Sequence, residues 1–296
     1  MNDFPSIGFV GFGEASFHIA KGLRSERGLR LSAFDIHTGA PGLGERIRQR
    51  AAETEVRLVD SNADLAREAS LILSAVTANQ AVAAAEQTSP HLTPDHMYAD
   101  MNSVSPALKQ AIAARIEASG ARFVEIAIMA PVPPYGHKVP MLSGGVAAAE
   151  FAERLGLLGM RIEVGDTQIG AAAATKMCRS IVVKGMEALL TECVLGATRY
   201  GAAERVFASL AETFPGIDWE NLATYMVGRV VVHGERRARE MDEVAETLRS
   251  IGIDPIMAEA TARRMDWSAK SGLKAKFGGA EPASYREFAE EVRKSS

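Results

Sequence analysis

Short apolar runs alternate with helical segments through the first half of this chain, and that alternation limits its fold more than any other feature. The runs are apolar along nearly their whole length, as strands are when helices cover both faces of a parallel sheet. We therefore predict an N-terminal α/β domain with a doubly wound sheet over residues 1–166. The seven predicted strands are residues 7–11, 31–35, 71–76, 96–101, 122–128, 140–145 and 161–165.

The pattern changes after about Ile169. No convincing strand follows, and long segments rich in Ala, Leu, Glu and Arg dominate, such as residues 170–201 and 232–252. We predict an all-α C-terminal domain over residues 167–296, with the domain boundary near residue 166.

Two glycines, Gly11 and Gly13, lie where the first predicted strand gives way to a helical pattern. In a Rossmann-type dinucleotide fold the first glycine permits this turn, and the second lets the backbone approach a pyrophosphate at the helix N-terminus. Ser16 occupies the position of the usual third glycine, and a tight strand-to-helix turn is the competing interpretation. Asp35 ends the second predicted strand 24 residues after Gly11, near the spacing expected of an acid that binds a ribose hydroxyl.

These features together predict a nicotinamide dinucleotide site. Asp35 favours NAD over NADP because its charge would face a 2′-phosphate, although His37 nearby leaves NADP open. Val76 and Thr77, where the third predicted strand ends, are also predicted to bind the cofactor. The predicted cofactor-binding residues are Gly11, Phe12, Gly13, Glu14, Ala15, Asp35, Val76 and Thr77.

The composition excludes several other classes. The formal net charge of −4 gives no basis for binding nucleic acid or an anionic membrane surface. The apolar stretch 169–197 is interrupted by charged residues, so we expect a buried helix and no membrane span. Two cysteines and no signal-peptide pattern predict reduced thiols in a cytoplasmic protein. The six histidines have no metal-ligand spacing, so no metal site is predicted.

A narrow polar stripe runs along the otherwise apolar helix predicted over residues 169–195. At about 100° per residue its members, three of them cations, fall on one side: Lys176, Arg179, Ser180, Lys184, Glu187 and Thr191. Buried polar groups must be paired, so the stripe is expected to face water, a partner or a cleft. The competing interpretation is the solvated face of an ordinary amphipathic helix.

Along nearly its whole length the chain resembles the β-hydroxyacid dehydrogenase superfamily, which includes 6-phosphogluconate and 3-hydroxyisobutyrate dehydrogenases. The resemblance rests on the opening IGFVGFG, on ADMNSVSP (99–106) at the D-x-S-T-x-S-P segment, and on IGAAAATKMCRS (169–180) at the G-x5-K-x2-N-N segment. Arg239-Glu240-Met241 lies at the later K-D-L segment. Met129-Ala130-Pro131 replaces the family's S-G-G, and Arg179-Ser180 replaces its two asparagines, so the chain resembles a divergent branch.

The resemblance implies hydride transfer between a nicotinamide cofactor and a small anionic 3-hydroxy acid or its carbonyl form. It implies that Lys176 is the general acid/base. It also implies a homodimer. The implied substrate-binding residues are Asn102, Ser103, Met129, Ser180 and Arg239.

Other interpretations stay open. The segment 102–105 is also typical of a helix N-cap ahead of Pro106, and Arg239 also fits a solvated charged surface. An imine reductase shares this two-domain architecture, and a non-catalytic dinucleotide-binding protein is the third alternative.

Overall fold

A computed structural model describes residues 6–24 and 28–294 of the chain. An eight-stranded sheet organises its first part in the order β3-β2-β1-β4-β5-β6-β7-β8, parallel except where β7 runs antiparallel to β6. The strands are β1 Ile7–Val10, β2 Leu31–Phe34, β3 Arg57–Leu58, β4 Leu71–Ser74, β5 Met97–Asp100, β6 Arg122–Ile128, β7 Met141–Gly144 and β8 Ile162–Val164. The predicted α/β class and all seven predicted strands are confirmed. The additional strand, β3, has only two residues and an exposed arginine, so no apolar run marks it.

Alternate residues of the strands pack into two separate cores. Ile7 and Phe9 of β1 belong to one core, whereas Val10 belongs to the other; Leu73 and Ile72 of β4 divide in the same way. Side chains of a strand point to opposite faces in turn, so both faces of the sheet are covered. The covering helices are α1 Glu14–Leu23, α2 Leu43–Thr54, α3 Asn62–Glu68, α4 Ala81–Thr88, α5 Pro106–Glu117 and α6 Ala148–Gly156.

The register aligns the carboxyl ends of the central strands. Phe34, Val10, Ser74, Asp100 and Glu125 are successive partners across β2, β1, β4, β5 and β6. The strand order reverses at β1, and in open α/β sheets ligands bind outside the carboxyl ends at such a point. The loops that follow β2, β1, β4 and β5 therefore meet at the edge where a ligand is expected, whereas β6 continues for three residues beyond Glu125.

The rest of the described chain is helical. Its helices are α7 Ala171–Arg199, α8 Ala203–Thr213, α9 Trp219–Ser250, α10 Ile256–Lys270, α11 Leu273–Lys276 and α12 Tyr285–Lys294. Contacts divide the chain into two compact units between Lys176 and Met177, so residues 167–176 belong with the sheet although the sequence assigns them to the helical domain. The second unit has its own core, which includes Val194, Phe207 and Phe288. No helix in the described residues is long and apolar enough to cross a membrane.

Candidate dinucleotide and catalytic site

The turn after β1 requires glycine at its first position. Gly11 has a φ of +83°, in the left-handed region that other residues rarely adopt. A Cβ built on Gly11 would also lie 2.7 Å from the carbonyl oxygen of Ala75, in the loop after β4. Two neighbouring loops therefore approach each other too closely at this point for any side chain.

Gly13 has a different function in the same turn. It is the N-cap of α1 and makes no side-chain cap hydrogen bond. A Cβ built on Gly13 would meet nothing within 4 Å, so the space beside it is open. The first N–H groups of a helix have no partner within the helix, and together with the helix dipole they attract an anion. Glu14 and Ala15 supply the first of these N–H groups in α1.

Ser16 is more than a small residue in a packing position. Its side chain is fully buried, and its hydroxyl donates a 2.7 Å hydrogen bond to the carbonyl oxygen of Gly11. The serine thus ties the first turn of α1 back to the residue that follows β1. The sequence shows only that Ser16 is small, because the hydrogen bond depends on the geometry of the turn.

Asp35 lies beside this turn, at the carboxyl end of β2. Its Oδ2 accepts a 2.8 Å hydrogen bond from the N–H of Phe12, and its Oδ1 accepts a 2.9 Å bond from the N–H of His37. The carboxylate is half-buried and held in a fixed orientation next to the G-F-G turn. The open, uncapped N-terminus of α1 and this adjacent acid fit the pyrophosphate and ribose of a dinucleotide.

A buried amide connects the loops after β4 and β5. Asn102 is 3% exposed, and its Oδ1 accepts a 2.7 Å hydrogen bond from the N–H of Val76. Its Nδ2 donates to the Ser74 hydroxyl at 3.2 Å and also to the Asp100 carboxylate. The structure therefore places Asn102 under the loop that contains Val76 and the exposed Thr77, with its amide engaged inside the protein.

Lys109 of α5 is a buried cation that belongs to none of the sequence motifs. Its Nζ donates to the Asp100 carbonyl oxygen at 2.7 Å, to Asp100 Oδ2 at 2.8 Å and to the Ile126 carbonyl oxygen at 3.3 Å. Both charged side chains are almost completely buried. An acidic residue inside an apolar strand was the available signal, because such a group needs a partner. The pair fixes the carboxyl end of β5 below Asn102.

Lys176 and Ser103, two of the predicted site residues, lie together. Lys176 Nζ donates a 2.6 Å hydrogen bond to the Ser103 hydroxyl, in an exposed position. Ser103 follows the carboxyl end of β5, and Lys176 lies in the second turn of α7. An amine and a hydroxyl at this edge of the sheet can hold an oxygen atom of a substrate and exchange a proton with it. Ser105 accepts a 3.3 Å bond from the N–H of Leu108 and is the N-cap of α5, as the competing interpretation expects.

Three predicted substrate-binding residues remain: Met129, Ser180 and Arg239. Met129 is half-buried just after β6, and its N–H donates to the Pro140 carbonyl oxygen at 2.9 Å. Ser180 and Arg239 belong to the second unit, where Arg239 is exposed and lies 3.7 Å from Asp242 on its own helix. A substrate contact for these three residues stays a prediction.

The polar stripe of α7 is not exposed along its whole length. Lys184 is buried and pairs with Glu240 of α9 at 2.6 Å, and burial lowers the pKa of this lysine. Glu187 is fully buried and accepts two hydrogen bonds, of 2.7 and 2.6 Å, from the Arg237 guanidinium. For these two charges the sequence leaves water, a partner or a cleft open, and the structure shows a partner, because α9 supplies a counter-ion for each of them.

Comparison with known proteins identifies relatives of both parts of the chain. The model of the NAD-binding domain of 6-phosphogluconate dehydrogenase matches residues 6–133, and a domain of unknown function, DUF1932, matches residues 197–268. A conserved hypothetical protein from Sinorhizobium meliloti is 39% identical, with a TM-score of 0.85 over 99% of this chain and 97% of its own. The conserved protein MTH1747, described as structurally similar to 3-hydroxyacid dehydrogenases, is 32% identical, with a TM-score of 0.77 over 93% and 99%.

The chain belongs to the β-hydroxyacid dehydrogenase superfamily, in a divergent branch. Its first unit contains an NAD(P)-binding domain, which confirms the predicted cofactor class. The 3-hydroxyisobutyrate dehydrogenase of Mycobacterium tuberculosis shares the fold, with a TM-score of 0.74 over 98% of this chain and 99% of its own at 16% identity. At that identity the likeness shows the fold alone.

Proposed function

We propose that the protein is an NAD(P)-dependent oxidoreductase that interconverts a small anionic 3-hydroxy acid and its carbonyl form. The observation that carries the proposal is the 2.6 Å hydrogen bond between Lys176 Nζ and the Ser103 hydroxyl. This pair lies beyond the carboxyl end of β5, in the unit that contains the dinucleotide-binding turn. A proton-transfer group is therefore held in the domain that binds the cofactor.

In the proposed mechanism, Lys176 moves the proton of the reacting oxygen. When bound, the nicotinamide supplies the hydride acceptor for oxidation and the hydride donor for reduction. In oxidation the neutral Lys176 amine accepts the proton of the substrate hydroxyl; in reduction its ammonium form donates that proton to the carbonyl oxygen. Proton transfer by a positioned side chain contributes about 10²–10⁴-fold to the rate. Ser103 holds the amine and offers a hydroxyl to the same oxygen or to the substrate carboxylate.

The cofactor is proposed to bind across the turn after β1. Gly13 and the N-terminus of α1 would receive the pyrophosphate, and Asp35 would accept a hydrogen bond from a ribose hydroxyl. We propose NAD as the preferred form, because the Asp35 carboxylate is fixed by two backbone N–H groups and would face a 2′-phosphate. Asn102 supports this site from below by holding the N–H of Val76.

Substrate selection is proposed to involve Met129, Ser180 and Arg239. Met129 presents a thioether where related chains have a serine, so it would contact an apolar part of the substrate. Arg239, which is exposed, would bind a carboxylate. We also propose a homodimer, which light scattering during size-exclusion chromatography tests, and a cytoplasmic location, for which the two free cysteines are the support.

The test is a substrate panel measured with NADH and with NADPH. The panel contains 3-oxo acids, semialdehyde acids and cyclic imines, and the cofactor carries deuterium at the transferred position. We expect deuterated hydroxy acid from at least one carbonyl acid, with a higher kcat/KM for NADH. Turnover of imines alone would favour the imine reductase. Tight cofactor binding without turnover across the panel would contradict the proposal and favour a non-catalytic protein.

A further inference from the structure

Helix α7 begins without a capping side chain of its own. The residues around its start are Ile169, Gly170, Ala171 and Ala172, and none of them has a side-chain oxygen. Helix N-termini usually depend on Ser, Thr, Asp or Asn at the N-cap to satisfy a backbone N–H group. Since α7 carries Lys176, the group that replaces this local cap also fixes where the amine lies.

Glu125 of β6 supplies the missing cap from a distant part of the chain. Its Oε2 accepts a 2.7 Å hydrogen bond from the N–H of Gly170, and its Oε1 accepts one of 2.7 Å from the N–H of Ala173. The side chain is fully buried. Hydrogen bonds to an ionised carboxylate are about twice as strong as neutral ones, and the negative charge lies at the positive end of the helix dipole.

The surroundings of Glu125 leave its carboxylate little freedom. Its strand is paired on both sides, with β5 and with β7. A Cβ built on Gly144 of β7 would lie 3.0 Å from Glu125 Oε2, a contact so tight that a larger residue there would push the carboxylate from its place. Gly170 has a φ of +101°, and its Cβ would lie 3.1 Å from Pro106 Cβ at the start of α5. The N-terminus of α7 is therefore held against the sheet and α5 together.

The same frame also places the partner of Lys176. Glu125 is the register partner of Asp100, the last residue of β5, and Ser103 follows three residues later. Lys176 follows Ala173 by three residues, less than one turn of helix. The Lys176 amine is therefore positioned from β6, through the hydrogen bonds of Glu125, and the Ser103 hydroxyl is positioned from the neighbouring strand β5, which it follows in the chain. These two groups meet at 2.6 Å.

We propose that Glu125 is the positioning residue for Lys176: its carboxylate caps α7 and so holds the amine at Ser103. The proposal rests on the proposed role of Lys176 as the proton-transfer group. Glu125 itself touches neither substrate nor cofactor in this account. Its effect reaches the reaction only through the orientation of the first turns of α7.

The test is the isosteric variant Glu125→Gln in the full-length protein. An amide has one oxygen that can accept, and its NH₂ group would face the second backbone N–H, so one end of the cap is lost. We expect kcat to fall about 10²-fold, the cost of a misplacement of about 1 Å in a reacting group. The Kd for NADH should change less than about twofold, because the turn after β1 is untouched. Amide hydrogen exchange at residues 170–176 should speed up.

Glu163→Gln is the matched control, since it makes the same change at an exposed carboxylate of β8. It should leave kcat and the exchange of residues 170–176 unchanged. Glu125→Asp is the second variant: it keeps the charge, but its side chain is one methylene shorter and cannot reach both N–H groups. We expect this variant to lose kcat to an intermediate extent without a change in the Kd for NADH.

A double-mutant cycle separates positioning from general structural damage. In the Lys176→Ala background, Glu125→Gln should cause no further loss of kcat, because the group that it positions is already absent. An equal loss of kcat in both backgrounds, or an unchanged kcat in the single variant, would overturn the proposal. If Lys176→Ala itself kept the wild-type kcat, the proposed function of Lys176 would fail instead, so the two failures are distinguishable.

Discussion

The buried pair of Lys109 and Asp100 predicts that Lys109→Met destabilises the first unit strongly. The methionine keeps most of the lysine stem but removes a donor that contacts three acceptors within 3.3 Å. Asp100 is fully buried, so its charge would be left without its cation. Breaking such a pair costs about 3–5 kcal/mol, because one desolvated charge loses its counter-ion.

Urea unfolding can assign this loss to the right part of the chain. Both tryptophans, Trp219 and Trp267, lie in the second unit, whereas far-UV circular dichroism reports on both units. With a slope of about 2 kcal/mol per molar urea, the first unit should unfold about 1.5–2.5 M earlier in Lys109→Met. The transition seen by tryptophan fluorescence should move much less.

Two further variants control the interpretation. Lys138→Met makes the same change at an exposed lysine of the first unit and should shift its unfolding by less than about 0.5 kcal/mol. Asp100→Asn combined with Lys109→Met removes both charges, and we expect it to be more stable than Lys109→Met alone. An unfolding midpoint for Lys109→Met equal to that of the wild type would show that the buried pair does not stabilise the first unit.

Three other predictions follow from particular contacts. Gly11→Ala should destabilise the fold, whereas Gly13→Ala should fold normally but raise the Kd for NADH about tenfold or more, which is about 1.4 kcal/mol. If the two variants had the same Tm in calorimetry and the same Kd in NADH titration, this expectation would be contradicted. Ser16→Gly should cost about 0.5–1.5 kcal/mol in thermal unfolding through loss of one buried hydrogen bond, and an unchanged Tm would argue against that bond. The pKa of Glu240 is lowered: burial acts to raise it, but the nearby cations Lys184, Arg236 and Arg237 together outweigh this. The stabilisation by this carboxylate is therefore present above about pH 4.5 and is lost as the pH falls through the lower folded-state pKa. The difference in unfolding free energy between wild type and Glu240→Gln, measured by tryptophan fluorescence in urea, should therefore shrink below about pH 4.5. A difference that stays constant with pH would contradict this expectation.

The sheet could be predicted from the sequence because its signal is local. The central runs are apolar enough to show strands buried on both faces, whereas the last run, which forms β8, is largely exposed at the edge of the sheet. The glycines of the opening turn lie at the end of the first run and just after it. The strand β3 could not be predicted, because its two residues make no pattern of their own. The change to helical segments near Ile169 was equally visible, since it depends on composition over long windows.

The supports of the site were harder to predict because their partners are distant in sequence. Lys109 occurs in a helix, where a lysine normally faces water. The N–H groups that donate to Glu125 belong to residues 45 and 48 positions further along the chain. The pairing of Lys184 with Glu240 depends in the same way on how two long helices pack. The usable clue was a charged residue inside a run predicted to be fully buried, which Asp100 and Glu125 both satisfy.

The rate of the Lys176→Ala variant shows whether Lys176 transfers the proton of the reacting oxygen. Single-turnover hydride transfer would be measured with the best substrate of the panel, together with the Kd for NADH and with Lys138→Met as the control for loss of a lysine. We expect a rate about 10²–10⁴-fold below that of the wild type, with the Kd for NADH unchanged. A rate near that of the wild type would contradict this role of Lys176.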